Sequence, residues 1–145
     1  MASLVYTYAK AKLLSADIDL NADDIRVAMV MSDTTCDTEE DKQFIDTFTT
    51  LDECDGANYV RKELASEAVT ADEANDRGEF DADDFTWTAL GVGTRQNVGL
   101  LLFKHVNDDT DSIPIAYIDT GGFPFDGNGG NVTYTVNVEG ILQLT

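Results

Sequence analysis

Basic side chains are scarce in this chain. Nine lysines and arginines stand against 28 aspartates and glutamates, giving a formal net charge of −19. Such a surface repels phosphate backbones and anionic headgroups, which argues against nucleic acid and acidic membranes as partners. Histidine is reduced to His105, and cysteine to Cys36 and Cys54. Two cysteines are too few for a disulfide scaffold, and zinc would need further thiolate or imidazole ligands. A single bridge, which chain entropy values at about 3 kcal/mol, and two free thiols in a protein made in the cytoplasm both fit the sequence. No apolar run approaches the roughly 20 residues that span a bilayer. The opening MASLVYTYAKAKLLSADI carries its lysines inside rather than ahead of an apolar core. A secretory leader is therefore not expected, and the mature chain is expected to begin at or near Met1.

What is present suits one β-rich domain. The 145 residues, 43% hydrophobic, are enough to bury a core, and no linker divides residues 1–145. The surplus carboxylates read first as a solubilising surface. A sharper reading is adaptation to high salt, where charge repulsion is screened over less than the Debye length of about 8 Å found at physiological ionic strength.

The most informative stretch is Asp72 to Leu90, DEANDRGEFDADDFTWTAL. It reads as a strand at Glu79-Phe80-Asp81, an acidic turn at Ala82-Asp83-Asp84, and a strand whose Phe85, Trp87 and Ala89 alternate inward. Upstream, Ser3 caps an expected helix from Leu4 to about Ser15, with Leu4, Tyr8 and Ala11 at helical spacing. Ile25 to Met31 is mostly apolar, as a buried central strand should be. Residues 33–55 form an acidic insert with a short helix expected from Asp37 or Thr38 through Phe48 and Glu40 in a capping box. Asn97 to Val106 and Ile113 to Asp119 are further strands, with Pro114 at a strand start or edge. Val132 to Val138 alternates as the last full strand, and Ile141 to Leu144 completes it or pairs beside it. About seven to nine short strands with turns at intervals of roughly ten residues predict a mainly β fold. The expected form is an antiparallel β-sandwich, with a jelly roll as its most specific version, behind an N-terminal α-helix within residues 1–20.

Catalytic chemistry finds no support. His105 sits in the apolar run VGLLLFKHV, the serines lack a nucleophile elbow, and Gly91-Val-Gly-Thr-Arg lacks the third glycine of a dinucleotide loop. The carboxylates are too many for any pair to stand out as a glycosidase pair. Asp81, Asp83 and Asp84, or Asp108, Asp109 and Asp111, could offer oxygen ligands to calcium, yet neither set matches an EF-hand loop. Asx-turns are the plainer role for both. No enzyme and no cofactor is expected. The segment Ala2 to Tyr8 admits two readings: an arm whose Leu4, Val5, Tyr6 and Tyr8 pack on a neighbouring subunit, or a terminal segment laid on its own sheet.

The chain also carries a resemblance. An N-terminal helix followed by IDL, the strand DIRVAMVMS, the words NDRGEFDADDFTWTALG and the strand PIAYIDTGG resemble a group of tailed-bacteriophage virion proteins. Several of these are capsid decoration, or cement, proteins. The resemblance implies a protein of the virion surface, made in the host cytoplasm. It would bind the major capsid protein of the assembled head, as a homo-oligomer and most often a trimer, and help the shell resist internal pressure. Two alternatives stand beside it: a tail or fibre-associated structural protein, and a calcium-dependent glycan-binding β-domain. The 33–55 insert matches no part of that pattern.

Overall fold

The computed structural model describes residues 2–145. Along the chain run β1 (Leu4–Val5), α1 (Thr7–Leu14), β2 (Ile25–Met31), β3 (Lys62–Glu63), β4 (Ala68–Asp72), β5 (Arg77–Asp81), β6 (Phe85–Trp87), β7 (Asn97–Lys104), β8 (Ile113–Ile118), β9 (Val132–Tyr134) and β10 (Leu142–Leu144). The strands form three antiparallel sheets, ordered β1-β8-β7-β2-β3, β10-β5-β4 and β6-β9. The mainly β, antiparallel, sandwich-like fold with one short N-terminal helix is as the sequence predicts. Sheets of five, three and two strands replace the paired four-stranded sheets of a jelly roll.

Two strands dominate the core because both their faces are covered. The register pairs Val27 with Leu102, Met29 with Leu100, and these with Ala116 and Ile118, all on one face. Trp87 of β6 and Met29 line a common hollow on that side. The opposite face carries Ala28, Leu101 and Tyr117. Leu4 pairs with Tyr117, so the two-residue period sets Tyr6 on this second face, where its ring meets Phe48 edge-on at 5.5 Å. Phe48 therefore lies over the second face of the main sheet, while residues 52–54 bond along the edge of β2. Fully burying each large apolar side chain contributes about 1.5–3 kcal/mol, and Trp87, Phe103, Leu100, Leu101 and Leu102 are all essentially buried.

Four local expectations are corrected. The helix begins at Thr7, because Leu4 and Val5 complete the edge of β8 instead of a helical turn. An eight-residue helix is marginal by itself, so backbone pairing of its first residues with a sheet edge prevails. Ser3 hydrogen-bonds Asp119 rather than capping, and the Thr7 N–H donates to the Glu40 carbonyl.

The insert holds a 3-10 turn at Ile45–Thr47 where a longer helix was expected. Its organiser is Glu39, not Glu40. The Glu39 carboxylate accepts from the Thr35 hydroxyl at 2.8 Å, the Thr49 N–H at 2.8 Å and the Thr49 hydroxyl at 2.5 Å. Threonine hydroxyls that bond locally offer the backbone an alternative to helix, which explains the outcome.

The second strand of the acidic stretch, β6, ends at Trp87. Ala89 is half-buried with φ 53°, its N–H donating to the Asn131 side chain, and Leu90 takes the inward place. The last alternating run pairs only through Tyr134. Beyond it the Val136 N–H donates to Asp84, Val138 is 96% exposed, and β10 pairs with β5 instead of β9. No helix among the described residues is long and apolar enough to cross a membrane.

Candidate interaction surface

Most of the scarce basic residues are engaged inside the chain. Lys12, Arg26, Lys42, Arg61, Arg77, Arg95 and Lys104 each form ion pairs. Arg61 is the most fully held. It meets Glu53 through two N–H groups at 2.8 and 2.7 Å, reaches Asp109 at 2.5 and 2.9 Å, and lies over the Phe103 ring. Among the described residues only Lys10 and Lys62 make no ion pair, so the surface that remains is overwhelmingly carboxylate.

The aspartates singled out for calcium hold turns. The Asp81 carboxylate accepts from the Ala82 N–H, Asp83 from the Ser66 hydroxyl at 2.7 Å, and Asp84 from the Val136 N–H at 2.8 Å. Their partners lie in three different places, where they fix the crossing from β5 to β6. Asp108 closes its own turn on Thr110, Asp109 holds Arg61, and Asp111 accepts from Asn107. Among the described residues no group of three or more His, Cys, Asp or Glu side chains is gathered to hold a metal ion.

Cys36 and Cys54 are buried and free. Burial raises the Cys36 thiol to about 11 and also raises Cys54, so neither is an activated nucleophile. His105 packs edge-on against Phe103 at the end of β7.

The N-terminal segment is laid on its own sheet. Tyr6 is 0% exposed and donates to the Cys36 carbonyl at 2.6 Å, which withdraws it from any partner. Leu4 and Val5 pair with β8 and are half-buried, and Tyr8 packs edge-on against Phe44.

The sheet β10-β5-β4 supplies what the sequence did not single out. Its register aligns Leu142, Phe80 and Val69 in one row and Leu144, Gly78 and Ala71 in the next, all on the same face. The other face carries Gln143, Glu79 and Thr70. Phe80 and Leu142 are buried in the core, whereas Val69 and Leu144 are 47% and 46% exposed and Ala71 and Gly78 are exposed. A Cβ placed on Gly78 would meet nothing within 4 Å, so the second row lies under open space. Two adjoining hollows share Leu20, Val69 and Leu144 and extend this face to Leu13 and Ile18 beside the end of α1. Leu14, 89% exposed, stands at that same helix end. The signal was present as a two-residue period at Val69/Ala71, Gly78/Phe80 and Leu142/Leu144. What no period discloses is that only half of the face is covered.

The hollow of about 210 Å³ between the main sheet and β6-β9 is separate from these, lined by Met29, Trp87, Phe123, Phe125 and Tyr134 among others. Its rings pack on one another, Phe123 lying 5.5 Å from Phe125 and 6.5 Å from Tyr134. No protein-family model matches the chain, and no curated protein or solved structure matches it either.

Proposed function

We propose that this chain is a virion structural protein of the tailed-bacteriophage decoration type. It binds the assembled head through contacts with the major capsid protein, as a trimer, and carries no catalytic step. The observation that supports this reading most is the half-covered apolar face of β10-β5-β4 on a chain with a formal net charge of −19. Contiguous exposed apolar surface on a highly charged protein is the mark of an interaction site. Chemistry has little to work with, since the basic groups are paired and the clustered aspartates hold turns. The words NDRGEFDADDFTWTALG, which carry the resemblance, fall on the β5–β6 crossing and serve the fold. An acidic outward surface would keep coated particles apart.

The reading is tested by stripping the protein from particles and adding it back. Rebinding that raises the temperature at which heads release their contents is the expected result. Particles that neither rebind the protein nor change in heat resistance would contradict it.

A further inference from the structure

The exposed half of the β10-β5-β4 face also indicates the chemistry of what covers it. Resting on the binding role proposed above, we infer that its occupant is a protein segment with apolar side chains at two-residue spacing, flanked by lysine or arginine.

The apolar requirement comes from the second row, Leu144, Gly78 and Ala71. This row follows the Leu142–Phe80–Val69 row, of which only Leu142 and Phe80 are buried, and has open space above its central glycine. Gly78 lies within a regular strand, where glycine weakens the sheet and marks a close approach by another group. Side chains inserted over it would contact Leu144 on one side and Ala71 on the other. They would continue the apolar floor that runs through Val69 to Leu20.

The basic requirement comes from the rim. Glu73 and Asp76 are exposed at the tip of the β4–β5 hairpin, beside the open row, and take part in no ion pair among the described residues. Asp19 lines the other end of the groove. The only basic residue of the three strands, Arg77, is held by Asp72, Glu79 and Glu139 and is not free to answer an acidic partner. A second copy of this chain would bring its own charge of −19 against this rim. An apolar segment with cationic flanks gains both burial and complementarity.

The edge of the sheet fits the same occupant. The Val69 N–H, pointing away from β5, is held by the Asn21 side chain at 2.8 Å. Antiparallel alternation then directs the Ala71 N–H and C=O away from β5 too, toward the open side. An extended segment can bond there while its side chains reach over Gly78.

The test uses isotope-labelled full-length protein and three short synthetic peptides, alternating leucine with lysine, leucine with glutamate, and serine with lysine. The leucine–lysine peptide should shift the amides of Val69, Ala71, Gly78 and Leu144, and the other two should leave this face unmoved. Gly78→Gln fills open space, keeps the fold, and should weaken the leucine–lysine peptide by roughly fourfold to fifteenfold, the effect of losing about one or two buried methylene contacts. Shifts scattered over the acidic surface, equal shifts from the serine–lysine peptide, or indifference to Gly78→Gln would overturn the inference. So would concentration-dependent self-association that Gly78→Gln abolishes, since the occupant would then be a second copy. No particle is needed, so failure here is separate from failure of the virion reading.

Discussion

Arg61 and Asp109, 48 residues apart in sequence, meet in a two-pronged ion pair with N–O distances of 2.5 and 2.9 Å. Glu53 grips the same guanidinium from the insert, so one side chain ties residues 33–55 to β3 and to the loop after β7. The Tyr59 hydroxyl completes the node by donating to Glu53 at 2.7 Å.

Removing that guanidinium leaves two carboxylates facing each other without compensation. Arg61→Ala should lower stability by roughly 2 kcal/mol, less than a fully buried pair would lose because Asp109 is partly solvated. Arg61→Lys should recover only part of the loss, since an ammonium cannot fork to both carboxylates. Urea unfolding of the two variants checks this. Equal stability of Arg61→Lys and the parent would show that the fork is not needed.

Acid should loosen the insert. Hydrogen bonds from the Thr49 hydroxyl and N–H, together with that of Thr35, hold the Glu39 carboxyl down at about 2, against an ordinary value of 4.5. A depressed folded pKa contributes stability that is complete above the unfolded value and is lost as pH falls toward the folded one. Stability should therefore decline from about pH 4.5 toward pH 2, with Asp24, Asp72 and Asp108, also held low by their hydrogen bonds, adding to the slope. Glu39→Gln should be less stable at pH 7 and show a shallower decline. An unchanged slope would remove Glu39 from this role.

Salt should stabilise the fold without regard to the identity of the cation. With a net charge of −19, screening relieves self-repulsion, so the unfolding temperature should rise with sodium chloride. Calcium should do no more than magnesium at equal concentration, because Asp81, Asp83 and Asp84 are directed at separate hydrogen-bond partners. A calcium-specific rise, measured by thermal unfolding, would revive the calcium-dependent glycan-binding alternative.

The N-terminal segment cannot be removed cleanly. Tyr6→Phe deletes the hydroxyl that satisfies the Cys36 carbonyl and should cost about 1–2 kcal/mol. Deleting residues through Tyr8 should cost much more, because it strips the edge of β8 and opens the second face of the main sheet. Circular dichroism melts of both variants decide it. A deletion variant as stable as the parent would restore the reading of this segment as a free arm.

Legibility in the sequence followed burial. β2 and β7 could be read directly because both faces are covered and the whole run is apolar. Phe85 and Trp87 were legible from alternation, but Ala89 was not, since its turn depends on Asn131, 42 residues away. The insert misled for a similar reason: helical spacing from Glu39 to Phe48 is real, but Thr35 and Thr49 capture the Glu39 side chain. Val132 to Val138 alternates throughout, and the Val136 N–H goes to Asp84 across the fold rather than to a neighbouring strand. For the interaction surface, the alternation of Val69/Ala71 and Leu142/Leu144 was readable. Its half-covered state was not, because exposure depends on which element lies above a sheet and not on the strand itself.

The most direct measurement is the number of copies of this chain in purified virus particles, relative to the major capsid protein. Near parity is the result expected of a protein that coats the head lattice. A handful of copies would move it to the tail or a vertex, and none would contradict the virion assignment outright.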